Sequence, residues 1–302
     1  MLKRYLFLVT GLFLGFVNLQ SATYLPHVLP GFEYEKESKW EDPFFFIKMA
    51  DCQFGLLTGN KDWTTEISLL EKAVVHINRL KPKFVILCGD MVHQPPHNKL
   101  HDREIADYRK VVSKIDPKIP LICVCGNHDV WNTPEQSSIL TYEKEFKTPH
   151  YFVFWVGGVQ CLVLNSSLIW DPSKLQNIYQ EQYSWFQNQL GKMVGGHNPP
   201  HRFVFQHHPW FVNTYQDADG YGVIPKSRRM PFLEMMAKAG VSASFSGHLH
   251  KNAYGNYKGV QMITSAAVAV PAVSGFRVIK VYPDHFEHTY YTLNNVPQKI
   301  SL

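Results

Sequence analysis

"KFVILCGDMVH", residues 83 to 93, opens with six strand-forming residues and then breaks into Gly-Asp. A continuous run of Phe, Val, Ile, Leu and Cys suits a strand buried on both faces, as in a parallel sheet covered by helices. Working outward, Trp63 to Leu80 carries apolar residues at Ile67, Leu70, Val74, Ile77 and Leu80, the stripe of a helix lying on a sheet. Ahead of it, "FFFIKMA" (44–50) reads as a strand and runs into the polar "DCQFGLLTGNKD". Downstream, a helix over about 102–115 leads through "DPKIP" to the strand "LICVC" (121–125), which ends in "GNHDVWN". The order is β-α-β-α-β, with a polar cluster after every strand.

The second half repeats the habit with more β-structure. "HYFVFWVGGVQCLVLNSS" predicts a hairpin turning at Gly157-Gly158. A helix over Gln176 to Met193 precedes "RFVFQHHPW", a strand ending in histidines, and a helix over about 229–239 precedes "VSASFSGHLH", another such strand. "AYGNYKGVQMITSA" and "FRVIKVYPDHFEHTYYTL" supply closing antiparallel strands. The predicted class is α/β: two facing mixed β-sheets flanked by helices, four layers in the order α/β/β/α.

With 302 residues, 45% of them hydrophobic, and neither a Gly/Ser-rich linker nor a repeat in mid-chain, one large globular domain is expected over 43–293. A connector over 23–42 precedes it and a tail over 294–302 follows. The N-terminus, "MLKRYLFLVTGLFLGFVNLQSATYLP", has a basic start, an apolar stretch from Tyr5 to Leu19 and small residues at Ser21 and Ala22. That is the pattern of a secretory signal peptide over 1–22; an uncleaved membrane anchor is the second reading, and membrane contact is expected only in that case. The cysteines disagree with it. Cys88, Cys123, Cys125 and Cys161 lie inside apolar runs and, with Cys52, make an odd count, so buried free thiols are expected rather than a disulfide framework. Net charge is +5 and spread along the chain, with no basic stripe of the kind that binds a phosphate backbone, so no nucleic-acid partner is expected. The densest basic run, "KSRR" at 226–229, reads either as a solvated helix start or as a rim attracting an anionic substrate.

The polar tips carry the chemistry. They are Asp51 and Gln53, Asp90, Asn127 with His128 and Asp129, His207 and His208, and His248 and His250. All would lie beyond the carboxyl ends of strands, where open α/β sheets place ligands. Carboxylates, amides and imidazoles without thiolates suit Mn, Fe, Zn or Mg, and there are donors enough for two ions of the kind that clamp both oxygens of a displacement at phosphorus. A single Asp after Gly is a turn residue more often than a ligand. Five clusters in one order, each at a strand mouth, are not all turns.

That order, D-x-Q, GD, GNHD, H and GHLH, resembles the calcineurin-like metallophosphoesterase superfamily from about Phe44 to Tyr291. Within it, "ADCQFG", "LCGDMVH", "GNHDVWNTP", "LNSS", "VFQHHP" and "FSGHLHKNA" look like the calcineurin-like phosphoesterase domain-containing serine/threonine phosphatase group. The resemblance implies that Asp51, Gln53 and His250 hold one metal, that Asp90 bridges, and that Asn127, His207 and His248 complete the second. It implies His128 as the catalytic acid, with Asp129 orienting its ring, and attack by metal-activated water. Gln53 stands where most of the superfamily has His; a neutral amide oxygen is a weaker, harder ligand than imidazole, which favours manganese. His207 is chosen over His208 because it follows the strand directly.

The implied function is a metal-dependent phosphoric ester hydrolase acting on phosphate monoesters, with a phosphorylated protein or a small phosphoester as partner. Two readings remain open beside it: a phosphodiesterase, because the same core cuts diesters, and a non-catalytic secreted protein that keeps its metals for stability. The N-terminus points to the secretory pathway, the resembled group to the cytoplasm. His93 and Asn252 are expected either to touch substrate or to be rim residues. Asn165 fits a glycosylation sequon but is expected to be too buried for sugar. His76, His97, His101, His285 and His288 are expected at the surface.

Overall fold

A computed structural model of the chain describes residues 24–193 and 198–302. The expected signal or anchor segment, 1–22, lies outside them, and no helix among the described residues is long and apolar enough to cross a membrane. In chain order come α1 (Tyr34–Glu37), β1 (Phe44–Met49), α2 (Thr64–Leu80), β2 (Val85–Cys88), α3 (His101–Val112) and β3 (Leu121–Val124). Next are α4 (Asn127–Val130), α5 (Gln136–Phe146), β4 (Phe152–Val156), β5 (Val159–Val163), α6 (Ser166–Trp170), α7 (Gln176–Leu190) and β6 (Arg202–Phe205). The chain closes with α8 (Lys226–Lys238), β7 (Ala243–Ser246), β8 (Ala253–Tyr257), β9 (Val260–Thr264), β10 (Gly275–Val281) and β11 (Phe286–Thr292).

The strands form two mixed sheets, β11-β10-β1-β2-β3 and β4-β5-β6-β7-β9-β8. Alternation along each strand sends one set of side chains inward and the other toward helices. Phe46, Ile86 and Val124 meet Phe154, Phe203, Phe205 and Phe245 in the layer between the sheets; Phe46 stacks on Phe84 at 4.6 Å and crosses Phe205 edge-on at 5.9 Å. Each such ring, wholly buried, contributes about 1.5–3 kcal/mol. Outside the first sheet, Ile47, Val85 and Leu87 pack on Leu70, Val74 and Ile77 of α2. Outside the second, Leu162 and Val204 pack on Phe186 of α7 and Phe232 of α8. This is the α/β/β/α sandwich. All five cysteines are free and buried.

The structure departs from expectation at several places. The connector before β1 runs beside β4, with Leu29 N–H donating to the Val153 carbonyl (3.1 Å) and Val153 N–H to the His27 carbonyl (3.1 Å). The C-terminal tail is docked too, Val296 and Ile300 packing against the core under α2. Lys226 and Ser227 of "KSRR" are exposed at the start of α8, as a solvated helix start, but Arg229 is wholly buried. Its guanidinium donates to the Tyr215 (3.1 Å), Ile224 (3.1 Å) and Asp217 carbonyls and so ties down the loop ahead of α8. His101 is buried rather than at the surface. Its Nδ1 donates to the Gln94 carbonyl at 2.7 Å and its Nε2 faces the Glu145 carboxylate at 3.1 Å. With both ring nitrogens donating, it is an ion-paired imidazolium and not a metal ligand.

Candidate metal centre

β1, β2 and β3 run parallel to one another, as do β5, β6 and β7. The first sheet therefore delivers Asp51, Asp90 and Asn127 from its carboxyl edge, and the second delivers His207, His248 and His250. The edges meet directly: His207 Nδ1 donates to the carbonyl of Cys88, the last residue of β2, at 2.9 Å. Buried Lys48 of β1 donates to the Ser246 carbonyl at the end of β7.

Four of the expected ligands converge on one point. His207 Nε2 lies 3.2 Å from Asp90 Oδ2, 3.0 Å from Asn127 Oδ1 and 3.1 Å from His248 Nδ1. The outer hydrogen bonds say what each inner atom offers. His207 gives its Nδ1–H to Cys88, His248 gives its Nε2–H to the Tyr221 carbonyl (3.1 Å), and Asn127 gives its amide N–H to the Tyr221 hydroxyl (3.1 Å). In neutral rings the two inner nitrogens are then lone pairs, and together with a carboxylate and an amide oxygen they make four acceptors facing one another. Such a cluster is satisfied by a cation. Without a cation Asp90 and His207 share a proton instead: burial would raise the Asp90 carboxyl, but a protonated His207, with His128, outweighs that and holds it well below the usual range. His207 is lowered by burial and raised by Asp90, to about 9; a cation in the cluster displaces that proton and leaves the His207 ring neutral. Burial, then the neighbouring His207, presses His248 down to about 4, which keeps that ring neutral.

The second set is looser. His250 Nε2 lies 3.5 Å from Asp51 Oδ1, and both Asp51 oxygens accept the His248 N–H at 3.1–3.2 Å. Gln53 does not bond Asp51. Its amide nitrogen meets His93 Nδ1 at 3.4 Å, and its Oε1, buried, has no partner among the described residues. An orphaned, buried amide oxygen two residues after Asp51 is what a second cation would take up. The donor set fits divalent ions: Asn127, His207 and His248 with Asp90 could hold one, and Asp51, Gln53 and His250 offer further oxygen and nitrogen donors to another. Asp51, Gln53, Asp90, His248 and His250 all have positive φ, between 36° and 70°, a strained backbone that persists where surrounding contacts impose it.

Glycine sits before three of the ligands because space is short. A Cβ on Gly126 would lie 2.2 Å from Asp90 Oδ1 and 2.5 Å from the Asp90 nitrogen; one on Gly89 would lie 2.3 Å from His207 Nδ1. Gly126→Ala is therefore expected to lower stability by about 1–3 kcal/mol and to lose metal at the same time, checked by thermal unfolding and metal content. A variant with full metal at unchanged Tm would show that the loop yields freely.

Asp129 is a correction. It does not reach the His128 ring; its carboxylate accepts the N–H groups of Gly126 (2.7 Å), Asp90 (2.7 Å) and Met91 (3.1 Å). It clamps the two loops that carry Asp90 and Asn127. The His128 Nδ1 faces the His93 carbonyl instead, and the two rings stack at 4.9 Å. His93 thus acts through its backbone. Asn252 accepts from Arg277 at 2.7 Å and so steadies the turn after His250. His208 stays out of the acceptor cluster, its Nδ1 paired with Ser166 Oγ at 3.0 Å. Asn165 is buried and caps α6 by accepting from Leu168 N–H at 3.1 Å. Tyr221, which ties both His248 and Asn127, lies in a loop where no residue pattern marks it.

An α/β/β/α sandwich that gathers carboxylate, amide and imidazole acceptors where its two sheets meet defines a dinuclear-metal phosphoesterase. The chain belongs to the calcineurin-like phosphoesterase family, whose model matches residues 49–252. It is 39% identical over 285 residues to the Bos taurus serine/threonine-protein phosphatase CPPED1, covering 90% of each chain. It is 38% identical over 286 residues to the Homo sapiens protein of that name, again over 90% of each. Among solved structures, a dimetal phosphatase from Danio rerio superposes with a TM-score of 0.63 at 15% identity, over 84% of this chain and 97% of that one.

Proposed function

We propose that the chain is a phosphomonoesterase that removes phosphate from phosphoserine or phosphothreonine in proteins. The observation that carries the chemistry is the convergence of Asp90, Asn127, His207 and His248 acceptors within 3.2 Å of His207 Nε2; the substrate class rests on relatives similar along nine-tenths of their length. Two bound divalent ions supply Lewis acidity and lower the pKa of water. The chain's own residues do the rest. Asp51, Gln53 and His250 would hold one ion, Asn127, His207 and His248 the other, and Asp90 would bridge them. His128, half-buried at the rim and fixed through Nδ1, presents Nε2 as the acid for the departing alkoxide. Manganese is the proposed metal, because Gln53 offers a neutral hard oxygen where an imidazole would favour softer ions.

The test is release of nitrophenol from p-nitrophenyl phosphate and from its bis-ester by residues 23–302 in manganese, with and without chelator. Chelator-sensitive turnover of the monoester well above the diester is expected, followed by phosphate release from phosphoserine peptides. Preference for the diester would replace this reading with a phosphodiesterase. The compartment is proposed as secretory from the N-terminal segment; exported protein beginning near residue 23 is expected on N-terminal sequencing, an intact segment would mean a membrane anchor, and protein found only in the cytoplasm would overturn the reading.

A further inference from the structure

Among the oxygens outside the metal centre that are buried without a protein partner among the described residues, three belong to side chains around the loop that follows Gly55: Glu104 Oε1, Glu66 Oε2 and Asn60 Oδ1. Glu104 and Glu66 are 0% and 1% exposed. Each is half satisfied. Glu104 Oε2 accepts the His93 (3.1 Å) and Gln94 (2.8 Å) N–H groups, and Glu66 Oε1 accepts that of Leu57 (2.9 Å). The free oxygens of Asn60 and Glu104 border one small space beside Gly55, where a Cβ would lie 2.5 Å from Asn60 Oδ1 and 2.9 Å from Glu104 Oε1, and Glu66 holds the same loop two residues on, at Leu57. Burial raises the Glu104 carboxyl to about 7 against its two N–H donors and His101, with the Glu66 charge adding the smallest push in the same direction.

Buried acceptors left unpaired are costly, and nearly all native ones find a partner. Here the partner must be a donor or a cation, because the unpaired atoms are all acceptor oxygens, and two neighbouring carboxylates favour a positive one. Two carboxylates balance a divalent charge, and an all-oxygen set without imidazole or thiolate suits a hard ion; calcium takes such ligands at about 2.3–2.6 Å. We propose that Glu66, Glu104 and Asn60 form a second kind of cation site, for calcium, that shares no residue with the catalytic centre. The site bears on catalysis from behind. Glu104 holds the His93 N–H, and the His93 carbonyl receives the His128 ring, so a bound ion stiffens the loop that aims the acid.

The experiment is calorimetric titration of calcium into the metal-stripped full chain and into Asp90→Asn, Glu104→Gln and Asn60→Ala. One binding event is expected to survive Asp90→Asn and to weaken at least about tenfold, some 1.4 kcal/mol, in the other two. Asn60, on a partly exposed loop, keeps the test open if Glu104→Gln does not fold. An event that vanishes in Asp90→Asn would put calcium in the catalytic centre and overturn the proposal. So would an event unchanged in Asn60→Ala and Glu104→Gln, or no calcium binding by the parent chain, which would leave water or a shared proton as the partner of these oxygens.

Discussion

Asp90→Asn is expected to lose metal and turnover together. The substitution keeps size and shape, so its effect reads the charge. Asp90 Oδ2 faces the His207 nitrogen at 3.2 Å while Oδ1 accepts the His128 N–H at 2.9 Å, and both atoms must be acceptors. An amide has one acceptor oxygen. Its NH2 either points into the cluster of lone pairs, where it takes the place of a cation, or meets the His128 N–H, donor against donor. Either way the group proposed to join both ions is gone, and the several kcal/mol of charge stabilisation that metals provide corresponds to about a thousandfold or more in rate. Metal analysis after dialysis, alongside kcat on p-nitrophenyl phosphate, checks it. Two metals retained in the variant would sink the bridging assignment.

The proposed ligands are legible because each lies within a few residues of a strand's end, and strand ends can be read from apolar runs. "VILC" gives β2, and Asp90 follows two residues after Cys88; "SASFS" gives β7, and His248 follows two after Ser246. The preceding glycines mark where backbones crowd. Illegible were the contacts made across the sandwich. Asp129 reads as a partner for the adjacent His128, yet it is spent on three N–H groups, two of them on Asp90 and Met91. Tyr221 meets Asn127 across 94 residues of sequence, and nothing near "DGYGV" announces it. Arg229 and His101 misled for the same reason: a charged residue reads as exposed until the loop it ties down, or the glutamate it pairs with, is known.

His128→Ala separates chemistry from metal binding. The ring touches none of the proposed ligands by hydrogen bond; its Nδ1 faces the His93 carbonyl, and the residue's link to Asp90 is the backbone N–H, which alanine keeps. Both metals are therefore expected to stay. Turnover is expected to fall by about 10²–10⁴-fold, the usual contribution of a positioned acid. The substrate decides which role is lost. If Nε2 protonates the departing oxygen, the deficit is larger for a serine-like alkyl phosphate than for p-nitrophenyl phosphate, whose leaving group needs no proton; equal deficits would mean the ring stabilises phosphoryl oxygens instead. Asp129→Asn provides the contrast. Because that carboxylate clamps loops rather than the ring, its loss is expected to lower Tm and metal affinity while leaving the ratio of alkyl to aryl turnover unchanged. A selective loss on alkyl phosphates in Asp129→Asn would restore it as the residue that tunes His128, acting through the Asp90 and Met91 loop rather than by contact.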